Sequence, residues 1–387
     1  MPLSFAIATP FDYGPRGFPD PRSVMTNRPT PQPGILKIAP YVPGRSKAAP
    51  GVTAIKLSSN ESPLGASPRA IAAYKSVAEH LEIYPEGTSA VLRTALAEVH
   101  GLDAERIVCG NGSDDLLHLL AQCYIGDGDD AVMSQYGFSV YPIVTEGAGG
   151  SIIMAPEADY TASVEALLAA VTERTRMVFL ANPNNPTGTY LSEAEVARLH
   201  AGLRPDVLLV IDSAYAEYVT AADYSVGADL VEQAENVVMV RTFSKMGLAA
   251  ARIGWMYGPA HVVDAVNRIR GPFNVNLPGQ LAATEATRDV DFTRRLRDYN
   301  AQWRDWITAE LSSNHLRVVQ SEANFVMVLF PDAAQAAAAF EALLARGLIV
   351  REIGASYGIA NGLRISIGPE AAMRGVVEIL KSMVFVQ

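Results

Sequence analysis

The stretch "RTFSKMGLAAAR", residues 241–252, follows the apolar run "NVVMV" and sets one lysine between a serine and a row of small residues, with one arginine closing it. A lysine at the end of a buried strand is ordinarily a solvated residue. Set among apolar and small side chains it has another use. Loss of hydration favours the neutral amine, and a neutral amine can attack a carbonyl carbon to form a Schiff base. Arg252 adds a planar fork of donors suited to a phosphate. Both residues need partners, and a fold that brings those partners to the same strand ends.

The flanking sequence predicts that fold. Short apolar runs alternate with longer amphipathic patterns: "RIVCG" before "SDDLLHLLAQCYI", "AVMSQ" before "YGFSVYPIVTEGA", "RMVFLANP" before "LSEAEVARLHAGL", then "VLLVID", "NVVMV" and "RIGWMYG". Buried strands alternating with helices give an α/β fold with a mostly parallel central sheet flanked by helices. Such sheets bind ligands at the carboxyl ends of their strands. Asn111, Asn185, Asp212 and Lys245 each follow an apolar run, so they are placed at such ends. After Pro272 a helical region leads into "NFVMVLF", "GLIVRE" and "LRISIG", which read as a smaller α+β domain. The expected division is an N-terminal extension (1–32), an arm that joins the smaller domain (33–65), a large domain (66–271) and a small one (272–387).

The 387 residues suffice for two such cores, and a formal net charge of −10 argues against a broad nucleic-acid-binding face. No apolar run reaches the roughly 18–20 residues that span a bilayer, so neither nucleic acid nor membrane is an expected partner and a cytoplasmic location is expected. Two cysteines, Cys109 and Cys123, and six scattered histidines show no metal spacing. The first segment, rich in proline and turn residues, is a poor signal peptide and predicts disorder. Met25 is the expected natural start.

Three further motifs carry the chemistry. "CGNGSDD", residues 109–115, follows a strand and opens a helix: the glycines allow a tight turn, Ser113 is the expected N-cap, and free N–H groups there could hold a phosphate. Alone, it is a capped helix after a glycine turn. "ANPNNPTG", residues 181–188, is a constrained polar loop whose Asn185 is a candidate ligand contact. "VIDSAY", residues 210–215, ends a strand on Asp212, a carboxylate that needs a cationic or hydrogen-bonding partner if buried, and Tyr215 follows it. Each has a bland structural reading. Together they offer a phosphate cradle, a carboxylate for a protonated ring nitrogen, a tyrosine and an asparagine for a ring hydroxyl, and an amine for an aldehyde. Those are the needs of pyridoxal 5'-phosphate.

In these motifs the chain resembles the fold-type I, pyridoxal-phosphate-dependent aminotransferases, and most closely the histidinol-phosphate aminotransferase branch. The resemblance runs from about residue 33 to the C-terminus and also rests on "IAPYVPG", "LSSNESPLG", "YPEG", "DSAYAEY", "PFNVN", "ANF" and "LRISIG". It implies that Lys245 holds the cofactor covalently and moves the proton, that Asp212 pairs with the ring nitrogen, and that Tyr215 and Asn185 contact the ring oxygen. Gly112, Ser113, Asp114, Ser244 and Arg252 surround the cofactor phosphate, Asp114 through its backbone N–H. Phe138 stacks on the ring. Tyr84 reaches the neighbouring site of a homodimer. Tyr41, Asn60, Arg351 and Arg364 line the substrate site, the two arginines holding a substrate phosphate. The implied reaction is ping-pong transamination of L-histidinol phosphate with 2-oxoglutarate in histidine biosynthesis.

Three departures from the family pattern stand out: Ser213 where glutamate is usual, alanines in "LAAAR" where glycine is common, and Phe138 where tyrosine is frequent. An aromatic amino-acid aminotransferase would share every cofactor residue. A phosphoamino-acid decarboxylase of this fold and a non-catalytic cofactor-binding regulator also remain open.

Overall fold

The computed structural model describes residues 29, 31–32, 34–41, 44–45, 47 and 51–385. The expected N-terminal extension, apart from residues 29, 31 and 32, and the expected start at Met25 lie outside the described residues.

The strands, in chain order, begin with β1 (Ile55–Lys56), β2 (Ile107–Gly110), β3 (Asp130–Ser134), β4 (Ser151–Ala155) and β5 (Thr175–Ala181). They continue with β6 (Leu208–Asp212), β7 (Val237–Thr242), β8 (Gly254–Tyr257), β9 (Arg317–Val319) and β10 (Phe325–Leu329). The last are β11 (Leu348–Ile349), β12 (Arg351–Glu352) and β13 (Gly362–Ser366). Among the described residues they form three sheets. The largest has the order β2-β8-β7-β6-β5-β3-β4. β7, β6, β5, β3 and β4 pair in parallel, and β8 is antiparallel to both β7 and β2. β2 therefore runs with the parallel majority, and its carboxyl end lies on the same edge as theirs.

The apolar runs are buried because this sheet is covered on both faces. Leu209 and Ile211 of β6 join one hydrophobic cluster with Val237 and Met239 of β7. Leu208 and Val210 join a second, on the opposite face, with Val238 and Val240. Alternate side chains thus feed two cores, which is why these strands read as continuous apolar runs.

A four-stranded antiparallel sheet, β12-β13-β10-β9, makes the second unit. Its Val326, Val328, Leu363 and Ile365 pack with Trp303, Ile307 and Leu311 of the long helix Val290–Ser312. β1 pairs in parallel with β11, which ties the chain leading to Asn60 to this side of the molecule. The helix Leu277–Arg288, set by the sequence division with the smaller domain, sends Ala282, Ala283 and Ala286 into the first core instead. The packing changes at Asp289, which ends that helix and caps the next by accepting from the Phe292 N–H.

Candidate active site

Lys245, Asp212 and Arg252 line one cavity of about 490 Å³, with Ser113, Asp114, Phe138, Asn185, Tyr215, Ser244, Asn60, Tyr41 and Arg364 around it. The size suits a small-molecule site. It opens at the strand ends, where the sequence placed the polar residues.

β7 ends at Thr242, and Ser244–Met246 form a single 3-10 turn that carries Lys245 past the sheet edge. Gly247 then takes φ +87, and a Cβ there would lie 2.1 Å from the Gly65 carbonyl oxygen. Only glycine allows the chain to turn away so closely. A second 3-10 turn, Ala249–Ala251, brings Arg252 back, where its Nη1 donates to Ser244 Oγ at 3.3 Å. The small residues between lysine and arginine thus serve a tight double turn.

Gly112 faces Arg252 from across the cavity, with φ +89. A Cβ on it would lie 2.6 Å from Arg252 Nη2. A side chain at position 112 would therefore collide with the guanidinium. The expectation that Ser113 is the N-cap is overturned. Gly112 occupies the cap position, Ser113 is the first residue of the helix Ser113–Tyr124, and no side chain caps Gly112's end of it. The Asp115 carboxylate instead accepts from the Asn111 N–H at 2.8 Å. Ser113 does not cap, because Gly112, at positive φ, already makes the entry turn. The Asp114 carboxylate meets Arg252 Nη2 at 3.2 Å, and both side chains are about half exposed.

Asp212, at the end of β6, is buried and accepts from the Tyr141 hydroxyl at 2.8 Å and from the Ala214 N–H at 3.2 Å. Burial pushes its carboxyl up to about 6, against the Tyr141 hydrogen bond, which pulls the other way. Burial pulls the Lys245 amine down to about 8, with the Arg364 guanidinium adding to the fall. The Lys245 amine stands 5.8 Å from the centre of the Tyr215 ring. A desolvated carboxylate and a desolvated amine in one cavity are the perturbed pair expected of a reacting site.

The other side of the cavity comes from elsewhere. Arg364 on β13 is buried; its Nη1 donates to Asn185 Oδ1 at 2.5 Å and its Nη2 to the Ser58 carbonyl at 2.6 Å. Its Nε is buried with no partner among the described residues. Arg351 on β12 stands directly across the ladder from Arg364. It lines an adjoining cavity of about 560 Å³, which shares Tyr41 and Ile143 with the first, and its Nη2 donates to Ser356 Oγ at 3.2 Å. Asn60 Nδ2 donates to the Tyr215 hydroxyl at 2.9 Å, and its backbone N–H to Ser366 Oγ at 2.8 Å. Phe138 packs edge-on to Tyr141. Tyr84 lies outside the cavity: it is 78% exposed and stacks on Phe273 at 4.7 Å.

Tyr141 was not singled out by the sequence reading, although it holds Asp212. It lies in "GFSVYP", where the spacing from Phe138 to Tyr141 is its one local signal, and that spacing fits any helix. Among the described residues no His, Cys, Asp or Glu group clusters as a metal site, and no helix is long and apolar enough to cross a membrane.

The profile of the aminotransferase class I and II family matches residues 52–380, and the chain belongs to that family. Relatives refine the placement. A histidinol-phosphate aminotransferase of Rhodopseudomonas palustris is 53% identical over 359 residues, 92% of this chain and 98% of that relative. One of Nitrobacter winogradskyi is 52% identical over 361 residues, with the same shares covered. The histidinol-phosphate aminotransferase of Sinorhizobium meliloti, solved in complex with pyridoxal-5'-phosphate, matches with a TM-score of 0.80 at 30% identity, over 86% of this chain and 92% of that one.

The residues present fit that cofactor. The cavity offers a partly buried amine for its aldehyde and a buried carboxylate for its ring nitrogen, and Gly112 puts no side chain of its own beside Arg252.

Proposed function

We propose that the protein transfers the amino group of L-histidinol phosphate to 2-oxoglutarate, reversibly giving imidazole-acetol phosphate and glutamate, in histidine biosynthesis. The observation that carries this reading is the convergence of Lys245, Asp212 and Arg252, from three parts of one sheet, on a single cavity. The names of the close relatives supply the substrate.

In this reading Lys245 holds pyridoxal 5'-phosphate covalently, and Asp212 faces its ring nitrogen. Ser113, Ser244, Arg252 and the N–H groups that follow Gly112 take its phosphate, the helix start adding a favourable field. Tyr215 and Asn185 contact the ring oxygen, and Phe138 covers the ring face. When bound, the cofactor supplies an electron-withdrawing ring that makes the substrate Cα–H acidic. The chain supplies the proton acceptor. An amine held near 8 is partly neutral at physiological pH, so Lys245 Nζ would take the substrate Cα proton and return it to the cofactor carbon on the far side of the amino nitrogen. Asp212 stays ionised beside a protonated ring nitrogen, and Tyr141 orients it.

Arg364 and Arg351 hold the substrate phosphate between them, since two cations facing each other across a ladder gain most from a shared dianion. Tyr41 and Asn60 line the same end. The active unit is a cytoplasmic homodimer in which Tyr84 reaches the partner's cofactor. The support is the exposed apolar face of Leu81, Ile83, Tyr84 and Phe273, of the kind that marks an interface. The smaller domain comprises the arm and the chain from about residue 290, with the boundary moved from 272 to follow the packing.

The test is a half-reaction screen on the purified holoenzyme. Histidinol phosphate, phenylalanine, tyrosine and threonine phosphate are each followed by the change in cofactor absorbance. Histidinol phosphate is expected to react fastest. Faster conversion by an aromatic amino acid would overturn the substrate assignment.

A further inference from the structure

The 3-10 turn Ala216–Tyr218 lies just past β6, with Tyr215 as the residue that enters it. Its side chains reach the lysine segment at two points. Glu217 Oε1 accepts from Arg241 Nη2 at 2.6 Å, four residues before Lys245, and both side chains are buried. The Tyr218 hydroxyl donates to the backbone carbonyl of Lys245 itself. Tyr218 is fully buried. Phenylalanine would fill the same core without a hydroxyl to satisfy, so the polar end calls for an explanation beyond packing.

That carbonyl belongs to a one-turn helix, whose end carbonyls have no partner within the turn. Gly247 then bends the chain away. The hydroxyl therefore fixes a peptide plane that would otherwise be loosely held. The lysine amine sits at the end of four rotatable bonds, and its position is only as defined as the backbone it starts from.

A third contact reaches the second sheet. The Asn324 side chain lies near the Tyr218 hydroxyl, and its Nδ2 donates to the Asn60 carbonyl at 2.9 Å. Its Oδ1 is buried without a partner among the described residues. Asn324 immediately precedes β10, the strand paired with the one that carries Arg364. Asn60 in turn donates to Tyr215. A line of neighbouring groups thus runs from the Lys245 carbonyl through Tyr218, Asn324 and Asn60 to the Tyr215 hydroxyl.

We infer that Tyr218 is a positioning residue for Lys245, aiming its amine by holding its carbonyl, and that Asn324 ties this anchor to the sheet that bears Arg364. The inference rests on the proposed covalent role of Lys245, and the experiment separates the two.

Holoenzyme is reduced with borohydride and the modified peptide identified by mass. No cofactor adduct on Lys245 would sink the covalent assignment itself. With the adduct present, Tyr218→Phe is compared with wild type in the pH titration of the bound cofactor's absorbance and in steady-state kinetics. The adduct is expected to survive, the titration midpoint to move by about half a pH unit, and kcat to fall roughly three- to tenfold with KM nearly constant, the scale of one lost hydrogen bond. An unmoved midpoint with unchanged kcat would refute the positioning role and leave the covalent role standing. Should the phenylalanine variant not fold, Asn324→Ala decides: a smaller midpoint shift supports the link, and none overturns it.

Discussion

Lys245, Asp212, Ser113 and Arg252 reach the cavity from the strand ends of one sheet, whereas Asn60 and Arg364 reach it from an arm and a second sheet, with Arg351 in the adjoining cavity. At the first end, spacing is set by strands that share two cores, and each residue lies within a few positions of a strand. At the second, two units must be in register before the arginines face the lysine. The first end is thus suited to holding a fixed group, and the second to a substrate that comes and goes.

Lys245→Ala tests the fixed end most severely. Transamination should fall roughly 10²–10⁴-fold or more, and borohydride should no longer fix cofactor to the chain. A variant that kept both would erase the distinction between the ends. Asp212→Asn removes the charge and keeps the shape. A loss in kcat of about 10²-fold is expected, with the cofactor still bound, because a preorganised charge acts on the reacting state. A wild-type kcat would show that the carboxylate is only structural.

Paired arginine variants sharpen the contrast. Arg252→Ala should weaken cofactor binding about 10- to 100-fold, the scale of a lost charge-assisted hydrogen bond. Arg351→Ala should leave cofactor affinity alone and raise KM for histidinol phosphate about tenfold, more than it does for an amino acid. Equal effects on both substrates would remove Arg351 from the phosphate site.

The smallest effect is in apo-protein stability against pH. The folded Lys245 amine titrates at about 8 rather than 10.5. Between those values the unfolded chain keeps a proton that the folded chain has lost, so stability should rise with pH across that window. Below about 8 the cost of burying the charged amine is present in full. Denaturant titrations of wild type and Lys245→Met should differ in slope between about pH 8 and 10.5, with the flatter curve in the variant. Parallel curves would mean that the amine is not desolvated.

Much of the fixed end was legible because its signals are local. An apolar run followed by asparagine, aspartate or lysine marks a strand end, and in a parallel sheet these ends share an edge. The Ser113 cap was misjudged for a local reason as well: Gly112, not the serine, makes the turn into the helix. Tyr141, Tyr218 and Asn324 escaped notice because each looks like core in sequence, and their hydroxyls and amide gain meaning only from partners 71, 27 and 264 positions away. The helix Leu277–Arg288 was set with the smaller domain because its alanines give no sign of which core they enter.

By itself, then, the sequence determined the alternating architecture and the placing of the lysine and its polar neighbours at strand ends, since strand periodicity, glycine turns and residue chemistry act over a few positions. The tertiary structure alone decided that Arg351 and Arg364 face each other across a ladder, that Asn60 joins them through β1 and β11, and that a buried tyrosine holds the lysine's own carbonyl. Those are contacts between separate elements, and only strand pairing and the packing of the elements against each other set their register.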